Sequence, residues 1–125
     1  MKSILLIEDD PFLIDIYTTK LKEAGFSVEV ATDGEQGLKK LAENKFDLLI
    51  LDIVLPQIDG WEILEKVKSQ QSKVKSLEDL KIIILSNLGQ KEEVEKGIKM
   101  GAAKYLIKAH YTPSEVVEEI KQILR

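Results

Sequence analysis

Five short apolar runs alternate with five segments of helical periodicity, and this alternation limits the possible folds more than any other feature of the chain. The runs are ILLI (4–7), FSVEVA (26–31), FDLLIL (46–51), KIIIL (81–85) and AKYLIK (103–108). The candidate helices lie at about 11–24, 34–44, 59–70, 90–100 and 113–124. Five βα units in succession predict an α/β fold, (βα)5, in which helices cover both faces of a doubly wound, five-stranded parallel sheet.

Residues that favour helix ends support these boundaries. Asp10 precedes Pro11, so Asp10 is predicted to cap the first helix and Pro11 to take its first position. Gly25 and Gly101 are predicted C-terminal caps, and Thr112-Pro113-Ser114-Glu115 forms a capping box before the last helix. The apolar residues of the first helix, spaced by three and four, are Phe12, Leu13, Ile16, Tyr17, Leu21 and Ala24.

Length and composition fit one domain over residues 1–125. A chain of 125 residues with 44% hydrophobic and 32% charged residues can bury a sizeable core. The polar segment 69–80, SQQSKVKSLEDL, either extends the third helix or forms a surface loop, and it does not resemble a domain boundary. The chain has no cysteine, which excludes disulfides and thiolate metal sites and fits a reducing cytoplasm.

Charge and hydropathy exclude two kinds of partner. A net charge of −4 and a pI near 5.1 argue against direct nucleic-acid binding, which needs a clustered cationic face. The first residues, MKSILLIEDD, contain too short an apolar run for a signal peptide or a membrane span. We therefore expect a cytoplasmic protein without membrane contact.

Polar residues come directly after the predicted strands. In open parallel sheets, ligands bind at this position, outside the carboxyl ends of the strands. They are Glu8, Asp9 and Asp10 after the first strand, Asp52 after the third, Ser86 and Asn87 after the fourth, and Lys108 at the end of the fifth. So many carboxylates would repel one another unless a hard divalent cation or raised pKa values neutralised them. Mg²⁺ accepts such oxygen ligands, and Lys108 and Ser86 can contact a phosphoryl group. The pattern predicts a site for phosphoryl transfer.

These motifs together resemble the receiver domain of two-component response regulators. The matching stretches are IEDD (7–10), LDIVLPQIDG (51–60), LSN (85–87) and GAAKYLIK (101–108), in the family's order and spacing. The resemblance covers nearly the whole chain and implies the strand order 2-1-3-4-5.

The resemblance also implies residue roles. Asp52 would be the phosphoacceptor, taking a phosphoryl group from the histidine of a sensor kinase or phosphotransfer protein. Asp9 and Asp52 would bind Mg²⁺ directly, Glu8 through water, and Val54 through its backbone carbonyl. Ser86 and Lys108 would contact the phosphoryl group, and Tyr105 would be the aromatic rotor of a switch. The switch would act on the surface of the fourth helix, fifth strand and fifth helix, for partner docking or homodimer formation.

Three features depart from the family pattern. Members usually have a cis proline after the lysine, but Ala109 follows Lys108, which leaves open whether this bond is cis or trans. Asn87 replaces a small residue. Val54 and Leu88 are apolar and should flank the aspartyl phosphate, so we expect slow autodephosphorylation.

Simpler structural interpretations remain for single residues. Ser86 could only end a strand, Lys108 could be a solvated charge, and Tyr105 could be a core aromatic. His110, the only histidine, is interpreted as a loop residue, and Trp61 as a packing residue.

Other functions are weighed against the receiver. A Mg²⁺-dependent aspartyl-phosphate hydrolase would usually carry a second Asp at position 54, where this chain has Val. A degenerate receiver that only binds partners would not need the full set of site residues. A flavodoxin-like cofactor binder would need a phosphate loop after the first strand. The preferred interpretation is a signalling module that catalyses only its own phosphorylation and dephosphorylation, and not an enzyme for separate substrates.

Overall fold

A computed structural model describes residues 1–124 and contains one five-stranded parallel sheet. The strands are β1 (Ser3–Ile7), β2 (Ser27–Ala31), β3 (Leu48–Leu51), β4 (Lys81–Ser86) and β5 (Lys104–Ile107). The α-helices are α1 (Pro11–Glu23), α2 (Gly34–Glu43), α3 (Gly60–Gln70), α4 (Lys91–Lys99) and α5 (Pro113–Ile123). Two short 3₁₀ helices span Lys75–Leu77 and Lys108–His110.

The strand order β2-β1-β3-β4-β5 confirms the predicted fold. β1 lies between β2 and β3, with Ile7 opposite Ala31 on one side and Leu51 on the other. The chain therefore leaves β1 towards one edge of the sheet and later returns to the other side. This reversal opens a crevice above the ends of β1 and β3, where the polar residues gather.

The central strands are buried on both faces, and their alternate residues pack into two separate hydrophobic cores. In β3, Leu49 and Leu51 pack with α2 and α3, whereas Leu48 and Ile50 pack with α1 and α5. This explains why FDLLIL shows no alternation of apolar and polar residues. Burial of these strands fixes the positions at which their last residues emerge at the crevice.

The predicted helix ends agree with the structure. The Asp10 carboxylate accepts hydrogen bonds from the backbone N–H groups of Phe12 and Leu13, at 2.9 and 3.4 Å. Gly25 and Gly101 have φ angles of 94° and 108°, the left-handed conformation expected after a helix. Thr112 forms the predicted reciprocal pair of capping hydrogen bonds with Glu115.

The segment 69–80 does not extend the third helix beyond Gln70 and is not a free surface loop. Leu77 and Leu80 are buried in the core beside α2 and α3, and the side-chain amide of Gln71 donates hydrogen bonds to both their carbonyls. These anchors are hard to recognise in the sequence because only one valine and two leucines interrupt the polar segment.

The end of the sheet opposite the crevice is closed by polar contacts. The Ser3 backbone N–H donates to the Asp47 carboxylate at 2.8 Å, and the Lys81 ammonium donates to the carbonyl of Ile123 at 3.1 Å. Among the described residues, no helix has the length and apolar character needed to cross a bilayer.

Candidate phosphoacceptor site

Three charged side chains meet in the crevice because each directly follows a buried strand. Glu8 follows β1, Asp52 follows β3 and Lys108 follows β5. The Lys108 ammonium lies 2.6 Å from a Glu8 carboxylate oxygen and 2.7 Å from an Asp52 oxygen. These side chains are only 10%, 2% and 8% exposed for Lys108, Glu8 and Asp52. The structure thus joins residues that are far apart in the chain into one nearly dry cluster.

Burial and pairing shift the pKa values of two members in the same direction. Burial raises the pKa of Glu8 above its ordinary value, and the ammonium of Lys108 offsets only part of this effect. Burial alone would lower the pKa of Lys108, but its bonds to Asp52 and Glu8 outweigh burial, and its pKa is raised. Lys108 is therefore held protonated, whereas burial disfavours the charged form of Glu8.

The oxygen atoms of Glu8, Asp9 and Asp52 suit a hard divalent cation. Each residue offers a carboxylate oxygen, and the three oxygens lie within 4.8 Å of one another. Asp9 is exposed to solvent, whereas the other two are buried. The crevice is about 310 Å³ and also includes Val54 and Asn87 in its walls. All-oxygen donors with one open side fit Mg²⁺, which retains water ligands.

The loop after Asp52 is held close to the site by Gly60. A Cβ atom on Gly60 would lie 2.3 Å from the Asp52 carbonyl oxygen, so only glycine fits there. The Val54 N–H donates to Asp52 Oδ1 at 3.2 Å and orients that carboxylate. Gln57 in the same loop has φ 66°, the only positive φ of a non-glycine residue in the described chain. The stretch LDIVLPQIDG (51–60) gives no sequence signal of this close approach.

Lys108 reaches the crevice from a trans peptide bond. No cis peptide occurs among residues 1–124, so the open question about Lys108–Ala109 is settled as trans. Lys108 begins a 3₁₀ turn, closed by a weak hydrogen bond from the Tyr111 N–H to the Lys108 carbonyl at 3.4 Å. Ala109 lies within this turn, at the position where the resemblance led us to expect a proline.

Ser86 and Tyr105 contact the same residue of the loop after β4. The Ser86 hydroxyl is fully buried and accepts a hydrogen bond from the Leu88 N–H at 3.3 Å. The Tyr105 hydroxyl donates to the Leu88 carbonyl, and burial raises its pKa. Tyr105 lies inward, half-buried beside α4.

A second groove adjoins the crevice and was not predicted from sequence. It is about 450 Å³, lies between α1 and the turn after β5, and shares Leu13, Asn87 and Lys108 with the crevice. Phe12 lies on its wall with 70% of its surface exposed, although it shares the spacing of the other apolar residues of α1. Phe12 is in the first turn of α1.

His110 and Trp61 take no part in the cluster. His110 is exposed at the end of the 3₁₀ turn, as interpreted from sequence. Trp61 packs at the edge of the core, and the Lys96 ammonium lies 4.3 Å from the centre of its ring.

A doubly wound sheet with clustered carboxylates and a lysine at its switch point defines the class of protein. The family model of the response regulator receiver domain matches residues 4–121. The chain therefore belongs to the response regulator receiver domain family, and its function is phosphorylation-dependent signalling in two-component systems.

Named relatives agree with this assignment. The alkaline phosphatase synthesis transcriptional regulatory protein PhoP of Bacillus subtilis is 34% identical over 99% of this chain and 49% of its own length. A CheY-like receiver from Methanospirillum hungatei is 30% identical with a TM-score of 0.86, covering 99% of this chain and 94% of that one. Thermotoga maritima TrrA, solved with Mg²⁺ and beryllium fluoride, is 30% identical with a TM-score of 0.81, covering 98% and 99%. The chain spans about half the length of the curated relatives it matches.

Proposed function

We propose that Asp52 accepts a phosphoryl group from the phosphohistidine of a sensor kinase or phosphotransfer protein, and that residues 1–125 act as a single receiver domain. Arg125 lies outside the described residues. The observation that carries the proposal is the contact of Lys108 with both Asp52 and Glu8, beside the exposed Asp9. This combination gives a nucleophile, a fixed cation and oxygen ligands for a metal in one crevice.

In the proposed reaction, a carboxylate oxygen of Asp52 attacks phosphorus while the bond from phosphorus to the histidine nitrogen breaks. The leaving imidazole takes its proton from solvent. Catalysis then depends on positioning and charge compensation, which the crevice provides without a general base on the protein.

Glu8, Asp9, Asp52 and the Val54 carbonyl would hold Mg²⁺, which supplies positive charge to the phosphoryl oxygens when bound. The Thermotoga maritima neighbour was solved with Mg²⁺ and a beryllium fluoride, which supports the same assignment here. Lys108 would keep its bond to the acceptor and pair with a phosphoryl oxygen. The Ser86 hydroxyl would donate to the phosphoryl group.

Phosphorylation would be read at the surface of α4, β5 and α5. An aspartyl phosphate carries more charge and more acceptor oxygens than a carboxylate, so it draws Ser86 and the Leu88 loop towards it. Tyr105 contacts that loop, and α4 follows it in the chain. The moved surface would serve partner docking or homodimer formation.

The exposed groove beside the crevice is the proposed docking surface for the phosphodonor. It adjoins Lys108, and Phe12 offers a large apolar contact next to the acceptor. A donor histidine must approach Asp52 within bonding distance, so its carrier must cover this rim. The donor is expected in the cytoplasm, where we place the protein.

Mass spectrometry of the intact protein tests this function. Incubation with acetyl phosphate and Mg²⁺ should add one phosphoryl group, which Asp52→Asn should abolish and Asp79→Asn, an exposed carboxylate change at the other end of the sheet, should retain. Failure of the wild type to take up phosphate would favour a degenerate receiver. Repeated turnover of phosphate esters would favour the hydrolase.

A further inference from the structure

Gly97 lies in the last turn of α4, as the seventh of its nine residues, and glycine is a poor helix former. It is buried, and a Cβ atom there would lie 2.7 Å from Tyr105 Cδ2 and 2.7 Å from Ile84 Cδ1. Both distances are shorter than van der Waals contact, so a methyl group at Gly97 would displace one or both neighbours. The Ile84 contact is the flexible end of a side chain, whereas the Tyr105 contact is part of a rigid ring.

The ring of Tyr105 is thus seated directly against the backbone of α4. Its hydroxyl reaches the Leu88 carbonyl in the loop before α4, and the Leu88 N–H donates to Ser86. Tyr105 therefore contacts the last turn of α4 and also the loop that precedes this helix. Through Leu88 these contacts connect to Ser86, the residue proposed to meet the phosphoryl group.

We propose that Gly97 is a positioning residue of the switch: its missing side chain provides the seat for the inward ring of Tyr105 and so couples Asp52 to α4. This inference rests on the proposed phosphorylation of Asp52. The inward position of Tyr105 and a phosphoryl group at Asp52 are proposed to favour each other. A change that expels the ring must then weaken binding at Asp52 by the factor that couples the two.

Thermal unfolding of a double-mutant cycle tests the seat itself, without phosphorylation. Alanine is the better helix former, so Gly97→Ala would raise the midpoint if nothing opposed it. We expect it instead to lower the midpoint by about 3–10 °C. In a Tyr105→Ala background, the same change should be neutral or should raise the midpoint. Equal losses in both backgrounds would overturn the proposal. If Gly97→Ala alone fails to fold, a folded double variant supports the seat and an unfolded one contradicts it.

Calorimetric titration with Mg²⁺ and beryllium fluoride, a phosphoryl mimic, tests the coupling. Gly97→Ala should weaken this binding by about fivefold or more, and should not weaken it further in the Tyr105→Ala background. Gly37→Ala is the matched control. Gly37 also lies in a helix, α2, and a Cβ atom there would lie 2.3 Å from the Ile7 side chain, but Gly37 is outside the contacts of Tyr105. Unchanged binding in Gly97→Ala, or an equal loss in Gly37→Ala, would overturn the proposal. Absence of binding to the wild type would instead count against the proposed function.

Discussion

Lys108 Nζ lies 2.6 Å from Glu8 in a region where both side chains are almost completely removed from water. The same ammonium contacts Asp52, so one cation serves two carboxylates. Burial raises the pKa of Glu8 by more than the contact with Lys108 lowers it, so this pKa remains above its ordinary value. The charged form of Glu8 is therefore disfavoured without a further cation in the crevice.

The first prediction is that Glu8→Gln stabilises the metal-free protein at pH 7. A raised folded-state pKa means that Glu8 contributes stability below its unfolded pKa of about 4.3, and that this stability is lost as the pH rises through the folded value. Glutamine stays neutral, so the free energy of unfolding of the variant should be about 1 kcal/mol higher than that of the wild type at pH 7. This difference should shrink towards pH 4. Urea denaturation in a chelator measures it. A less stable variant at pH 7 would contradict the prediction, and Mg²⁺ should stabilise the wild type more than the variant.

The second prediction concerns Lys108→Met, which leaves two buried carboxylates without their cation. We expect a loss of about 3 kcal/mol in the free energy of unfolding at pH 7, partly restored by Mg²⁺. Since the folded pKa of Lys108 is raised, its contribution should persist up to about pH 10 and disappear as the pH rises through the folded value. Lys104→Met is the control, because the Lys104–Glu119 pair is more exposed and should contribute less than about 1 kcal/mol. Similar losses in both variants would argue against a special role of the cluster.

The third prediction separates docking from chemistry at Phe12. Phe12→Ala should slow phosphoryl transfer from a histidine kinase that loads the wild type by about tenfold, because a large apolar contact is lost. Loading by acetyl phosphate should be unchanged, since that donor is too small to reach across the groove. Ile98→Ala, at a residue 46% exposed on α4, should affect neither reaction. Equal slowing with both donors would show that Phe12 acts on the site and not on docking.

The fourth prediction is a long-lived aspartyl phosphate. The Val54 side chain is 59% exposed on the rim of the crevice, and Leu88 is half-buried with both backbone groups engaged. Neither side chain can orient a water molecule for attack. Leu88→Glu should accelerate loss of phosphate roughly tenfold or more, and the control Ile98→Glu should not. A wild-type lifetime of seconds that Leu88→Glu leaves unchanged would count against this hypothesis.

The sequence predicted the sheet and the identity of the clustered residues because both depend on local patterns. Buried strands such as FDLLIL are short, almost continuously apolar runs, unlike the amphipathic segments that form the helices of this chain. The residue after each strand is placed by the strand itself. The peptide bond after Lys108 could not be predicted, because it depends on a 3₁₀ turn that the tertiary structure selects.

Other features were hidden because they depend on contacts between distant segments. Burial of Leu77 and Leu80 within a polar stretch follows from the surface left open beside α2 and α3. The clash that reserves Gly97 for glycine involves Tyr105, which is eight positions later but on a different element. The exposure of Phe12 was hidden because helical periodicity gives the angle around α1 but not which turns of the helix are covered.

The polar closure at the far end of the sheet also has a practical consequence for experiments. Parallel strands confine the proposed chemistry to one edge, so the exposed Lys45 beside Ser3 is separated from it by the full length of the strands. Because the chain contains no native thiol, Lys45→Cys would create a unique attachment point for a fluorophore or a surface tether. Such a label would follow association with a partner in real time while leaving the reacting edge untouched.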